Sequence, residues 1–365
     1  MVKFTMDTKQ VTWNDVQSEL DKYKFPSEQD TVIVWGAGLM GQLEVPLLKN
    51  ELHVIAFCDS SMEKQNSQIQ GLPCIPPENI QLYQDAFVLV STIRNYLQIV
   101  PKLEELRVGH CTVDAYVIHR HKDDLYQVYQ SLDEYSQSIF STILWCRLTG
   151  DTTYIPEICE DNQYFALPQF RFCEVDEIFV DCGAFVGDVV QKFVENNVGT
   201  FKKIFAFEPN IDPLKVLRHR VQKFQSSWLF QSDQIVCEEL GVGKESSRVR
   251  FYISKQNAAN CSIWEPSGIQ KEINLVSLDQ YFASRTESQP TFLKADIEGC
   301  EWEMLLGAQN IIQRNQPKIA ISIYHNIYDF FRIPQFLKQL VPEYQFAVRH
   351  HWNSFSETVL YCYIG

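Results

Sequence analysis

The stretch Phe179-Val-Asp-Cys-Gly-Ala-Phe-Val-Gly-Asp188 decides how the second half of this 365-residue chain is read. An apolar run ends in an acid, Asp181, and passes through a turn containing Gly183 and Gly187. A helical pattern then starts at Asp188. A strand that enters a helix through glycines brings backbone close to a ligand at the carboxyl edge of a parallel sheet. The acid precedes the glycines here, whereas a dinucleotide fingerprint places its acid at the end of the following strand.

Working outward, strands expected at 178–181, 203–207 and 234–239 alternate with helices from Asp188 and Pro213. Short added strands are expected at 249–253 and 274–278. They are followed by a strand at 291–295, a helix over 301–314, a strand at 318–323, a helix around 333–340, and closing strands at 345–349 and 358–363. The runs are continuously apolar, as in strands covered on both faces. No helix separates the last two strands, so they should pair antiparallel at one end of a seven-stranded sheet. Three strands finish in acids at that carboxyl edge. Asp181 is the first, Glu208 follows in Phe205-Ala-Phe-Glu-Pro-Asn210, and Asp296 and Glu298 follow in Thr291-Phe-Leu-Lys-Ala-Asp-Ile-Glu-Gly-Cys-Glu301. In such sheets ligands lie outside the carboxyl ends, so these acids should face one crevice.

The first half repeats the pattern on a smaller scale. Strands are expected at 31–36, 53–58, 86–91 and 112–118, preceded by a polar lead-in with a short amphipathic helix from Trp13. Gly36, Gly38 and Gly41 form a G-x-G-x-x-G turn after the first strand, and Asp59 ends the next one, where a ribose-binding acid belongs. Pro46 falls inside the helix that should follow, which argues for a short or kinked helix. The fold class is therefore α/β with two Rossmann-like domains. The boundaries are a lead-in over 1–30, a small domain over 31–120, a helical connector and loop over 121–175, and a larger domain over 176–365. The loop at 148–175 is rich in aromatics, and two readings stand for it, a pocket roof or a surface linker.

Bulk properties narrow the function. A net charge of −14 disfavours a general nucleic-acid binder, and no apolar run approaches the ~20 residues of a membrane span. Eleven cysteines, an odd number with no C-x-x-C pair, and a start without an apolar signal core point to a reducing cytoplasm.

The four segments Val180 to Asp188, Phe205 to Asn210, Val-Ser-Leu-Asp-Gln-Tyr-Phe (276–282) and Lys-Ala-Asp-Ile-Glu-Gly-Cys-Glu-Trp-Glu-Met-Leu-Leu-Gly-Ala (294–308) together resemble the FkbM-type methyltransferases. The resemblance spans roughly 160–365. It implies a class I methyltransferase fold, S-adenosylmethionine as methyl donor, and O-methylation of a hydroxyl on a sugar, glycan precursor or related small molecule. By position it assigns the donor to Asp181, Gly183, Gly187 and Glu208, and it sets Asp296 and Glu298 beside the reaction centre. The first domain resembles small modules that bind a nucleotide or nucleotide sugar in sugar-modifying enzymes. Two other readings stay open: an NAD(P)-dependent oxidoreductase using the Gly36 loop, and a non-catalytic nucleotide-sugar-binding protein.

For the proton leaving the acceptor hydroxyl, the candidates are His325, in Ile321-Ser-Ile-Tyr-His-Asn326, and Asp296. A metal held by His325, Asp329 and His350 or His351 lacks any tight ligand spacing, so none is expected. The polar and aromatic stretch Asn257-Ala-Ala-Asn-Cys-Ser-Ile-Trp-Glu-Pro266 reads either as an acceptor loop or as a surface hairpin.

Overall fold

The computed structural model describes residues 10–83, 85–172, 174–253, 261–262 and 269–365. Most of the 257–266 stretch, all but Cys261 and Ser262, therefore lies outside the described residues. The chain divides into two compact units, one ending at Cys159 and including Trp352–Ser356, the other comprising Glu160–His351 and Glu357–Gly365.

The first unit is built on strands β1 (Thr31–Trp35), β2 (His53–Cys58), β3 (Gln68–Ile69), β4 (Leu72–Ile75), β5 (Phe87–Val90) and β6 (Gly109–Thr112), in the order β3-β4-β2-β1-β5-β6. All neighbours pair parallel except β3 with β4. Continuous burial of Val32, Ile33 and Val34 and of Val88, Leu89 and Val90 explains the unbroken apolar runs, because both sheet faces are covered. The strand expected at 112–118 is corrected. β6 stops at Thr112, whose hydroxyl accepts the Ala115 N–H at 3.0 Å and caps a helix over Val113–Arg120. Six of those eight residues are buried, so an apolar run alone did not separate buried helix from buried strand. Helices Lys122–Ser131 and Glu134–Thr149, read from the sequence as a connector, also lie in this unit.

Pro46 does not break its helix, Leu39–Leu48. A proline removes the N–H that would bond the carbonyl four residues back. Here that carbonyl belongs to Gln42, and the Gln70 side chain donates to it at 2.8 Å.

The second unit carries β7 (Ile178–Cys182), β8 (Lys203–Phe207), β9 (Ile235–Glu238), β10 (Gly241–Val242), β11 (Ser247–Ile253), β12 (Cys261–Ser262), β13 (Ile269–Val276), β14 (Phe292–Ala295), β15 (Lys318–Ser322), β16 (Gln345–His350) and β17 (Thr358–Tyr363). Its main sheet has the order β16-β17-β15-β14-β7-β8-β9. The pairs from β15 to β9 are parallel, while β17 is antiparallel to both β15 and β16. A smaller sheet, β10-β13-β11-β12, is inserted between β9 and β14. The strand expected at 274–278 ends earlier, because Ser277 caps a helix over Leu278–Phe282. The helix expected over 301–314 is two, Glu301–Leu306 and Gln309–Asn315, separated at Gly307 and Ala308. Asp279 accepts the Asn310 and Ile311 N–H groups at 3.0 and 2.9 Å, so the acid of the 276–282 segment seats that second helix.

An aromatic cluster of Phe165, Phe170, Phe179, Phe193 and Phe292 fills the core against this sheet, with ring centroids 4.4–6.4 Å apart. Phe165 and Phe170 come from the aromatic 148–175 stretch, so that part of it is neither a roof nor a linker but core of the second unit.

Candidate active site

The turn after β7 is fixed from both sides. Gly183 sits at φ +82, and a side chain there would meet the Asp296 carbonyl oxygen at 2.1 Å. Gly187, at φ +81, precedes the helix Asp188–Asn196. Only glycine takes both the backbone angle and the close approach at position 183 without strain. The Gly183 and Ala184 N–H groups donate to the Phe207 carbonyl at 3.1 and 2.9 Å, stitching the turn to the end of β8.

Asp181 is buried at the end of β7 and, like Glu208 and Asp296, is not among the residues lining the apolar crevice described below. Its carboxylate is fully buried and lies 2.9 Å from Lys294 Nζ, itself 2% exposed on β14. Lys294 also donates to the Gly183 carbonyl at 2.9 Å. Burial pushes the Asp181 carboxyl up to about 6 against the pull of Lys294. The acid therefore anchors the lysine that holds the turn. Sequence reasoning missed this lysine, although a charge inside the apolar run Phe-Leu-Lys-Ala was the signal for a buried pair.

Glu208, at the end of β8, is 7% exposed and curls back over the turn. Its carboxylate accepts the Phe185 N–H at 3.0 Å and the Asn210 N–H at 2.7 Å. Burial raises it to about 7, opposing those hydrogen bonds and Lys294. Beside it an apolar crevice is lined by Gly183, Phe207, Pro209, Leu240, Val242 and Ile297.

On the other side of the turn, Asp296 follows β14. It accepts the Tyr164 hydroxyl at 2.5 Å and the Tyr324 hydroxyl at 3.3 Å. Past β15, His325 is 5% exposed and surrounded by acids. Its Nδ1 lies 3.2 Å from Glu301, and its Nε2 lies 3.6 Å from Glu298 and 3.8 Å from Asp296. Burial opposes charge on the imidazole, but Glu301, Glu298 and Asp296 outweigh it and hold His325 well above its ordinary value. These acids therefore favour the protonated ring, which makes His325 a poor proton acceptor in this arrangement. Glu357 adds a further carboxylate, bonded to Gln163 and 3.5 Å from the Tyr324 hydroxyl. Tyr164, Glu301, Tyr324 and Glu357 were not picked out from sequence, since their approach depends on the fold.

The structure does not bring Asp329, His350 or His351 to His325's nitrogens as a ligand set. Asp329 pairs with Arg332 at 2.6 Å, His350 with the Thr358 hydroxyl at 2.9 Å, and His351 with the Glu160 carbonyl at 2.8 Å.

The loop of the first unit has a parallel arrangement. Gly36, at φ +122, donates its N–H to the Cys58 carbonyl at 2.8 Å, and Asp59 accepts the Ala37 N–H at 2.9 Å. Gly38 precedes the helix, and a side chain at Gly41 would strike the Gly36 carbonyl. Lys64 lies 3.6 Å from Asp59.

Residues 181–347 match the family described as Methyltransferase FkbM domain. Over these residues the chain is similar to the FkbM methyltransferases. Residues 28–113 match the family described as C2185-like, N-terminal. The crystal structure of methyltransferase FkbM from Methylobacillus flagellatus KT is similar over 97% of this chain and 94% of its own, at 21% identity and a TM-score of 0.57. That likeness shows a shared fold. UDP-D-quinovosamine 4-dehydrogenase from Vibrio fischeri is similar over 23% of this chain and 77% of its own, with 26% identity and a TM-score of 0.22. An rRNA methylase from Streptococcus thermophilus is similar over 59% of this chain and 93% of its own, with 15% identity and a TM-score of 0.32. No curated protein matches. Among the described residues no helix is long and apolar enough to cross a membrane.

Proposed function

We propose that this chain is an S-adenosylmethionine-dependent methyltransferase that methylates a hydroxyl of a small molecule such as a sugar or glycan precursor. The observation that carries the reading is the meeting, at one edge of the second unit's sheet, of the Gly183 turn, Glu208, an apolar crevice and the Asp296–His325 acid group. S-adenosylmethionine has a flat apolar base, a ribose diol, and a charged end with an ammonium and a sulfonium. The crevice beside Phe207, Pro209 and Ile297 suits the base. Glu208 suits the two ribose hydroxyls, as strand-end acids do. In this reading Asp181 acts through Lys294 and the turn rather than by touching the donor. The carboxylates around His325 favour a cationic sulfonium nearby and leave room for an acceptor at the same edge.

Methyl transfer is an in-line displacement. Alignment of the two reactants contributes ~7–11 kcal/mol, and assisted removal of the hydroxyl proton roughly 10²- to 10⁴-fold. Of the two expected proton acceptors, Asp296 is the better suited, because the acids around His325 favour its protonated form. The first unit then serves as an accessory module whose glycine loop suits a nucleotide or nucleotide sugar. Calorimetry with S-adenosylmethionine and S-adenosylhomocysteine tests the reading. One-to-one binding, weakened at least about tenfold in Glu208→Ala, supports it. Tight NAD binding without affinity for either sulfur compound would replace it with the oxidoreductase reading.

A further inference from the structure

The acid group around His325 has a property that methyl-donor binding does not require. One ligand atom from each of Asp296, Glu301 and His325 falls within 4.8 Å of the others. Glu301 is fully buried, its Oε1 is fixed by the Ile297 N–H at 2.8 Å, and its Oε2 makes no hydrogen bond among the described residues. Neither ring nitrogen of His325 makes a well-aligned hydrogen bond, although both face carboxylates at ion-pair distance. Asp296 is meanwhile held in place by the Tyr164 and Tyr324 hydroxyls.

We propose that Asp296, Glu301 and His325 form a divalent-cation site, with Glu298 at its rim. Two hard carboxylates and one imidazole, which gives up its proton as the ion takes that proton's place among the acids, suit Mn²⁺ or Mg²⁺, which keep several positions for water or substrate oxygens. Six-coordinate bonds of ~2.1 Å put neighbouring ligand atoms ~3.0 Å apart and opposite ones ~4.2 Å apart, so these side chains close on an ion with small rotations. Whichever ring nitrogen binds, the other faces a carboxylate that fixes the ring, the usual support of a metal-bound histidine. A buried carboxylate oxygen without a hydrogen bond is costly unless something cationic meets it.

The use of the ion rests on the proposed methyl transfer. An acceptor hydroxyl bound to it would lose its proton more readily. With Asp296 on the ion, the proton that Asp296 takes in the metal-free reading passes instead to Glu298, which is 32% exposed at the side chain, and from there to water. The oxygen's electron pair forms the O–CH₃ bond as the C–S pair returns to sulfur. The products are the methyl ether, S-adenosylhomocysteine and one proton.

The test uses the full chain after treatment with a chelator, titrated with Mn²⁺ alone while free Mn²⁺ is followed by electron paramagnetic resonance. One tightly held Mn²⁺ per chain, weakened at least about tenfold in both Glu301→Gln and His325→Gln, is expected. Absence of stoichiometric Mn²⁺ binding in the unaltered chain, or undiminished binding in folded variants, overturns the proposal. Should a variant fail to fold, as judged by circular dichroism, the titration of the unaltered chain decides alone. S-adenosylhomocysteine calorimetry on the same samples separates the two readings: donor-product binding without Mn²⁺ binding sinks the metal site and leaves the methyltransferase reading standing.

Discussion

At the scale of single residues, Glu208 makes the sharpest prediction. Its carboxyl is raised to about 7 from an ordinary value of 4.5, with burial the main cause, and Lys294 and Asp181 pull in opposite directions. A folded-state value above the unfolded one means that the proton stabilises the fold. The contribution is complete below about pH 4.5 and is lost as pH rises through about 7. Melting temperature measured from pH 4.5 to 8 should therefore fall less steeply in Glu208→Gln than in the unaltered chain. Ligand binding should run the other way. A ribose diol donates to the ionised carboxylate, so S-adenosylhomocysteine affinity should increase through pH 7 in the unaltered chain and lose that slope in Glu208→Gln. Equal slopes in the two proteins would show that Glu208 does not meet the ribose. The place of Glu208 at a strand end was legible in the sequence, because the apolar run 203–207 stops there before a proline. Its hold on the Phe185 and Asn210 N–H groups was not, since those contacts depend on how the turn curls.

At the scale of elements, the β7 turn depends on a pair that sequence periodicity hides. Asp181 and Lys294 lie on adjacent parallel strands, at partnered positions in the register, and both are buried. Removing one partner leaves a lone buried charge, which costs roughly 3–5 kcal/mol, whereas removing both is far milder. Lys294→Met should thus destabilise the chain by about that amount in urea unfolding, and Asp181→Asn/Lys294→Met should recover at least half of it. Purely additive losses would argue that the pair is not the support of the turn. Gly183→Ala should be costly for another reason. Its backbone lies at φ +82 and its new methyl would meet the Asp296 carbonyl, so a loss of about 2–4 kcal/mol is expected, with donor affinity falling too. The parallel strands were readable because their burial is continuous. The misread elements, at 112–118 and 274–278, were places where a capping Thr112 or Ser277 switches the chain into helix just after a strand. A single hydroxyl decides such a boundary, and hydrophobicity carries no record of it.

At the scale of the whole molecule, the two units solve the same local problem twice. In each, a glycine N–H after the first strand bonds the last carbonyl of the second strand, and the acid that follows accepts an N–H from the glycine turn. The order of the larger sheet, with β17 between β15 and β16, could not be read from sequence, because two consecutive strands pair alike whichever lies at the edge. The duplication also means that the better fingerprint, Gly36 to Gly41, does not by itself name a ligand: it specifies a turn, and a turn serves many ligands. Hydrogen exchange separates the two loops. Saturating S-adenosylhomocysteine should slow exchange in peptides covering 181–187, 207–210, 238–242 and 296–301, and leave those covering 36–42 unchanged. Amides that already donate within the fold, such as Ala37 and Phe185, report opening of their own turn, so protection at one loop does not mimic protection at the other. A nucleotide sugar bound to the first unit should give the opposite pattern. If S-adenosylhomocysteine protected the Gly36 loop instead, the donor would belong to the first unit and the roles assigned to the two glycine turns would have to be exchanged.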